Sequence, residues 1–145
     1  MIYEGTNEIQ AIDLLVRKVL ADGGQSMNAL LDSLAEDLPK EAKANKAHTS
    51  AQARIQTLRA VTQQIVKAAP QDAALAFRVA DDYLRAVALV LMDWAWLRIE
   101  AGVDDSTSNA DTRWHAPAKA LRSWVLPEFQ MRTFIIVQQC TGVAA

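Results

Sequence analysis

Cysteine is almost absent: Cys140 is the single one in 145 residues. A disulfide framework within one chain is excluded, and a reducing intracellular setting is the expectation. Basic excess is missing too. The formal net charge is -2 and no long run of Lys or Arg occurs, so neither nucleic acid nor an anionic membrane surface is implied as a partner. Long apolar runs are lacking. The most apolar stretch, AVALVLMDWAWL at 86–97, is too short to span a bilayer and contains Asp93. Residues 1–20 carry charge throughout, unlike a secretory leader. A cytoplasmic location is expected. Glycine and proline are scarce, five and four, and no stretch alternates apolar and polar residues for long. Both absences argue against a strand-rich fold and for an all-α chain.

What is present supports one core. The hydrophobic fraction is 51% and the charged fraction 22%, ordinary for a globular domain of this length. The punctuation locates the helices. The first is expected after Thr6 as N-cap, with Glu8 in its first turn, Ile9, Ile12, Val16 and Val19 as its stripe, and Gly23-Gly24 as its stop. The second begins near Ser26 and weakens before Pro39. Residues 40–47 are polar and read as a solvated turn or loop. The third runs from about Thr49 to Ala69, with Ala51, Ile55, Leu58, Val61, Thr62 and Ile65 on one face. The fourth, from about Gln71 to Ala101, becomes apolar almost all round and should be central. A polar loop is expected at 103–112. The last helix extends from near Thr112 to Gln139, kinked or split at Pro127. The sum is an antiparallel four-helix bundle preceded by one short amphipathic helix.

The opening residues Ile2-Tyr3-Glu4-Gly5-Thr6-Asn7-Glu8-Ile9-Gln10 closely resemble the C-terminal catalytic signature of acyl-CoA dehydrogenases. Ala11 to Lys18 resemble the helix that follows that signature in the larger members, such as the 3-methylmercaptopropionyl-CoA dehydrogenases. On this resemblance, residues 1–24 are the end of the catalytic helical domain, and residues 25–145 are an appended C-terminal helical bundle. The resemblance implies a parent enzyme that converts an acyl-CoA thioester to a trans-2-enoyl-CoA with FAD. Glu4 would be the base that removes the α-proton, while hydride leaves the β-carbon for the flavin. Gly5, Thr6, Asn7 and Glu8 would run beside the cofactor. The physical chemistry suits those types. A carboxylate is a weak base in water, with a pKa of about 4.3, and needs desolvation and a stabilised enolate to take a carbon-bound proton. Gly5 permits close backbone approach, and a helix start at Thr6 leaves amides free to face a polar group.

The rest of such an enzyme, its N-terminal helical and central β-domains, would have to precede Glu4. The expectation is therefore a sequence that begins inside a longer reading frame. It follows that the chain alone is inactive and binds no flavin, that its partner is the remainder of the dehydrogenase chain, and that the assembly is a homo-oligomer. The bundle would be structural, would shape subunit contacts, or would help to close the acyl site. The alternative is a stand-alone helical protein-interaction module.

Other residues carry weaker signals. His48 and His115 have no second ligand at metal-like spacing, so surface or packing roles are expected and no metal. Cys140 has no activating neighbour and reads as inert. Asp81 and Asp82 are spaced to pair with Arg78 and Arg85 on their own helix. Asp93 is expected on a narrow exposed edge; if buried, it needs an arginine such as Arg122 or Arg132. Of Trp94, Trp96, Trp114 and Trp124, most should be core or core edge, and Trp96 is expected to face outward.

Overall fold

A computed structural model describes the backbone of residues 4–39, 46–104 and 113–142, and the side chains of these except 4, 5, 103 and 104. All regular structure among the described residues is helical. The elements are α1 (Glu4–Ile12), α2 (Gln25–Glu36), α3 (Lys46–Ala68), α4 (Leu75–Asp104), α5 (His115–Ala120) and α6 (Glu128–Cys140). A π-helical stretch, Asp13–Val19, and a 3-10 turn, Leu20–Asp22, prolong α1 into one rod. A second π-helical stretch, Leu121–Val125, prolongs α5. The expected all-α bundle is what the chain forms. The expected loop at 103–112 falls outside the described residues beyond Asp104, as do residues 40–45 of the expected polar turn; Lys46 and Ala47 already belong to α3.

Side-chain bonds give the helix directions. Thr62 meets Tyr83 and Arg54 meets Asp93, so α3 and α4 run antiparallel. Arg78 meets Gln139, Arg85 meets Glu128 and Glu100 meets Arg122, so α4 and the last helical segment do likewise. Helix α4 is central, packed against the first rod, α3 and α6. Its buried side chains, Leu75, Val79, Tyr83, Ala86, Leu89, Val90 and Leu97, come from more than one face. All six stripe residues of α3 are buried. At about 1.5–3 kcal/mol per fully buried Leu or Ile, these faces dominate the stability.

The first rod packs into the bundle with a different face from the expected stripe. Ala11, Leu15 and Val19 are buried in the same core as Ile55, Leu89 and Ile136. Ile12 and Val16 only flank that core, and Ile9 is exposed. The apolar set of this segment is wide enough that the π turn, by adding residues per turn, brings Leu15 and Val19 inward. Thr6 is not the N-cap, because α1 already begins at Glu4. Starting earlier forms main-chain hydrogen bonds, where a cap at Thr6 would supply one side-chain bond.

Polar side chains set the joints. Asp22 accepts bonds from the Gly24 and Ser26 amides at 2.9 and 2.8 Å, which starts α2 at Gln25. Gly24 has φ +83°, and an added Cβ would lie 3.3 Å from the Thr62 methyl, so glycine is required twice over. Asp72 serves the Ala74 amide, and α4 therefore starts at Leu75 rather than Gln71. Pro127 splits the last helix as its missing N–H dictates.

Three expectations are corrected here. Arg78 pairs with Asp72, Arg85 with Glu128, and Asp81 and Asp82 with Arg132. The pairs at 81–85 join different helices, because α6 lies close enough to offer both signs. Trp96 is partly buried and packs edge-to-face on Trp114 at 6.1 Å. The outward tryptophan is Trp124, 84% exposed. Asp93 is the third, and it is treated with the site.

Candidate functional site

Two places on the molecule concentrate polar chemistry: the start of α1 and the seam where α3, α4 and the α5–α6 segment meet. At the first, Gly5, Thr6, Asn7 and Glu8 occupy the opening turns of α1. Thr6, Asn7, Glu8, Ile9 and Gln10 are all exposed, five consecutive residues on every side of the helix. These turns are exposed although α1 lies against α4, and the first buried residue of the rod is Ala11. The Glu4 side chain lies outside the described residues, as does Tyr3. A shallow cleft of about 660 Å³ runs along the rod beside Ile9, Ile12, Leu14, Arg17 and Lys18. It does not include Thr6, Asn7 or Glu8. These residues lie on open surface and do not by themselves enclose a flavin ring, so no chemical step is derived through one.

At the second place, Asp93 is buried at 1% exposure, against the expectation of an exposed edge. Its Oδ2 accepts a hydrogen bond from Arg54 at 2.5 Å. The partner comes from α3, and not from Arg122 or Arg132, because the antiparallel register of α3 and α4 sets residue 54 beside residue 93. Arg122 instead donates to both carboxylate oxygens of Glu100. Burial raises the Asp93 pKa; the charge and hydrogen bond of Arg54, then the charge of Arg122, oppose that rise, while Glu100 adds to it. Among the described residues, Asp93 Oδ1 and Arg122 Nε are buried without a hydrogen-bond partner. The bond between Asp93 and Arg54 ties α4 to α3.

This seam opens to the surface on two sides. A cleft of about 460 Å³ is bordered by Lys46, Ser50, Arg54, Asp93, Arg122 and Ser123. A groove of about 640 Å³ follows α3 and α6, with Ala53, Thr57, Val61, Phe129, Phe134 and Val137 along it. The sequence marks Asp93 but points to Arg122 or Arg132 as its partner instead of Arg54, and to no groove. The signal that could have found the pair was the spacing of Arg54 on the same face as buried Leu58, Val61 and Ile65.

The remaining candidates are plain. His48 is buried in α3 and His115 is exposed at the start of α5. No group of three His, Cys, Asp or Glu suited to a metal occurs among the described residues. Cys140 is half-buried, and burial pushes its thiol up, away from thiolate chemistry. No described helix is long and apolar enough to cross a membrane. Compared with family models, curated proteins and solved structures, the chain gives no match.

Proposed function

We propose that this chain is the C-terminal part of an FAD-dependent acyl-CoA dehydrogenase, with the bundle serving a structural or assembly role. The observation that carries the reading is the run from Ile2 to Gln10. In the parent enzyme Glu4 would take the α-proton, and Gly5, Thr6, Asn7 and Glu8 would lie against the cofactor. The geometry is compatible in one respect: Thr6 to Gln10 are exposed at the start of a helix that itself lies against α4. Such a helix end suits a segment that completes a site built elsewhere. The chain itself is expected to be inactive and free of flavin.

Two measurements test this. The coding sequence upstream of Met1 should continue in frame into a flavoprotein pattern. A stop codon with a ribosome-binding site just ahead of Met1 would refute the fragment reading. The purified chain should show no flavin absorbance, and stoichiometric FAD would overturn the claim that it lacks a cofactor site. A second reading, a stand-alone interaction module, is favoured by one specific observation: from Ala120 onward the exposed surface of the last helical segment carries no charge and includes Trp124, Met131 and Phe134. That surface is considered next on its own terms.

A further inference from the structure

From Ala120 to Gly142 the exposed positions are Ala120, Ser123, Trp124, Pro127, Gln130, Met131, Phe134, Thr141 and Gly142. None is charged, in a chain of which 22% is charged. The charged residues of this segment, Arg122, Glu128 and Arg132, are instead turned to Glu100, Arg85, Asp81 and Asp82 on α4. Trp124, Pro127, Met131 and Phe134 follow at steps of three, four and three. That is the spacing of a seam that another helix covers. Trp124, Phe134 and Met131 are 84%, 63% and 52% exposed. Beside Phe134 lies the open groove between α3 and α6. Trp124 does not line it. One surface therefore holds both a protruding indole and an apolar recess.

We infer that this face pairs with the same face of a second copy of the chain, in an antiparallel two-fold arrangement. Antiparallel pairing about residue 129 sets Trp124 of each copy opposite Phe134 of the other, and Pro127 opposite Met131. Each indole enters the other copy's groove between α3 and α6, against Phe134 and Val137. The two-fold makes the contact isologous, so one knob and one recess per copy satisfy both. The exposed positions of the helix carry no charge, and the two arginines that border the groove, Arg54 and Arg122, are already paired with Asp93 and Glu100. The exposed parts of Trp124, Pro127, Met131 and Phe134 from both copies bury on the order of 1,000 Å², at the lower end for a specific interface. A reversible dimer of micromolar Kd follows, with Trp124 as its anchor. The inference does not rest on the dehydrogenase reading, and its failure would leave the upstream-frame test untouched.

Sedimentation equilibrium of the full chain across about 1–200 µM tests it. The expected result is a concentration-dependent monomer–dimer equilibrium. Trp124→Ala and Phe134→Glu should each raise the dimer Kd at least about 30-fold. Both side chains are mostly solvent-exposed, so the monomer core survives, and circular dichroism should show unchanged helicity. Ile9→Ser, which alters an exposed apolar residue on α1, should leave the Kd within about twofold. A monomer at every concentration overturns the proposal. So does a dimer indifferent to the Trp124 and Phe134 variants, or one that Ile9→Ser dissociates as strongly.

Discussion

Removing the Arg54 side chain would expose how the seam is held. Arg54→Met keeps the length of the side chain but takes the donor from Asp93 Oδ2, the oxygen it meets at 2.5 Å. Asp93 is 1% exposed and its Oδ1 accepts no other bond among the described residues. Breaking a buried pair from one side leaves a buried charge uncompensated, at a cost of about 3–5 kcal/mol. The lower end applies, because Arg122 still attracts the carboxylate and Arg54 itself borders an open cleft. About 3 kcal/mol is a large part of the roughly 5–15 kcal/mol that holds a domain together, and lowers Tm by about 6–12 °C in a chain of this size. The double variant Arg54→Met/Asp93→Leu removes both charges and should recover most or all of that loss.

The pH dependence gives the same reasoning a second readout. Burial raises the native Asp93 pKa above its unfolded value, with Arg54 opposing. A raised native pKa means that the folded state holds the proton more tightly. Its contribution to stability is present below the unfolded pKa and is lost as pH rises through the native one. Without Arg54 the native value climbs further. The penalty of Arg54→Met should therefore be largest at neutral pH and shrink as pH falls toward the ordinary carboxylate range. Urea melts of wild type, single and double variants at neutral and mildly acidic pH measure this. A single variant within about 0.5 kcal/mol of wild type at pH 7 would refute the account. So would a penalty that does not change with pH.

Four further outcomes follow from the geometry. Thr62 donates its hydroxyl hydrogen to the Leu58 carbonyl at 2.8 Å, so the 2.8 Å contact with Tyr83 is a bond donated by the phenol; Tyr83→Phe should cost about 1 kcal/mol in urea unfolding. The Tyr83 phenol itself, pushed up to about 12 by burial, should stay protonated in a spectrophotometric titration until alkali unfolds the chain. Glu128 has its pKa lowered chiefly by the Arg85 hydrogen bond, against burial, with Arg132 adding to it. Its stabilisation is thus present above the ordinary carboxylate range and lost as pH falls through the native value, and Glu128→Gln should cost about 1 kcal/mol at pH 7 with the gap closing in acid melts. Gly24→Ala meets both a positive φ and the Thr62 methyl, and should lose about 1–2 kcal/mol by thermal melting.

What could be read in advance was whatever depends on neighbours along the chain. The α3 stripe from Ala51 to Ile65, the centrality of α4 and the break at Pro127 are local consequences of periodicity and of a missing N–H. What escaped depends on register between helices. Asp81 has arginines at helical spacing on its own helix, yet Arg132 is nearer across the α4–α6 contact. Asp93 looks like an edge residue until Arg54 is placed beside it. Trp96 looked like the outlier of its stripe because Trp114, on another element, was out of view. The same limit holds at the motif. The residue types from Glu4 to Glu8 are legible, but the surroundings that would make Glu4 a base for carbon acids are a matter of packing and not of spacing.

The path of the first rod bears on how the two parts of the sequence relate. Ala11, Leu15 and Val19 share one core with α4, α3 and α6. The Asp22 carboxylate and the two glycines lock the turn that follows. The rod is thus fixed against α4 along both halves, with exposed side chains from Thr6 to Gln10 at its start. Whatever surface the residues from Thr6 to Gln10 meet is thereby held in a set orientation to the bundle. Under the proposed reading, the bundle would grip the catalytic signature from behind, through Leu15 and Val19, rather than hang from it by a linker. A core shared across residue 24 is what such a grip requires, since a flexible joint would transmit neither position nor strain.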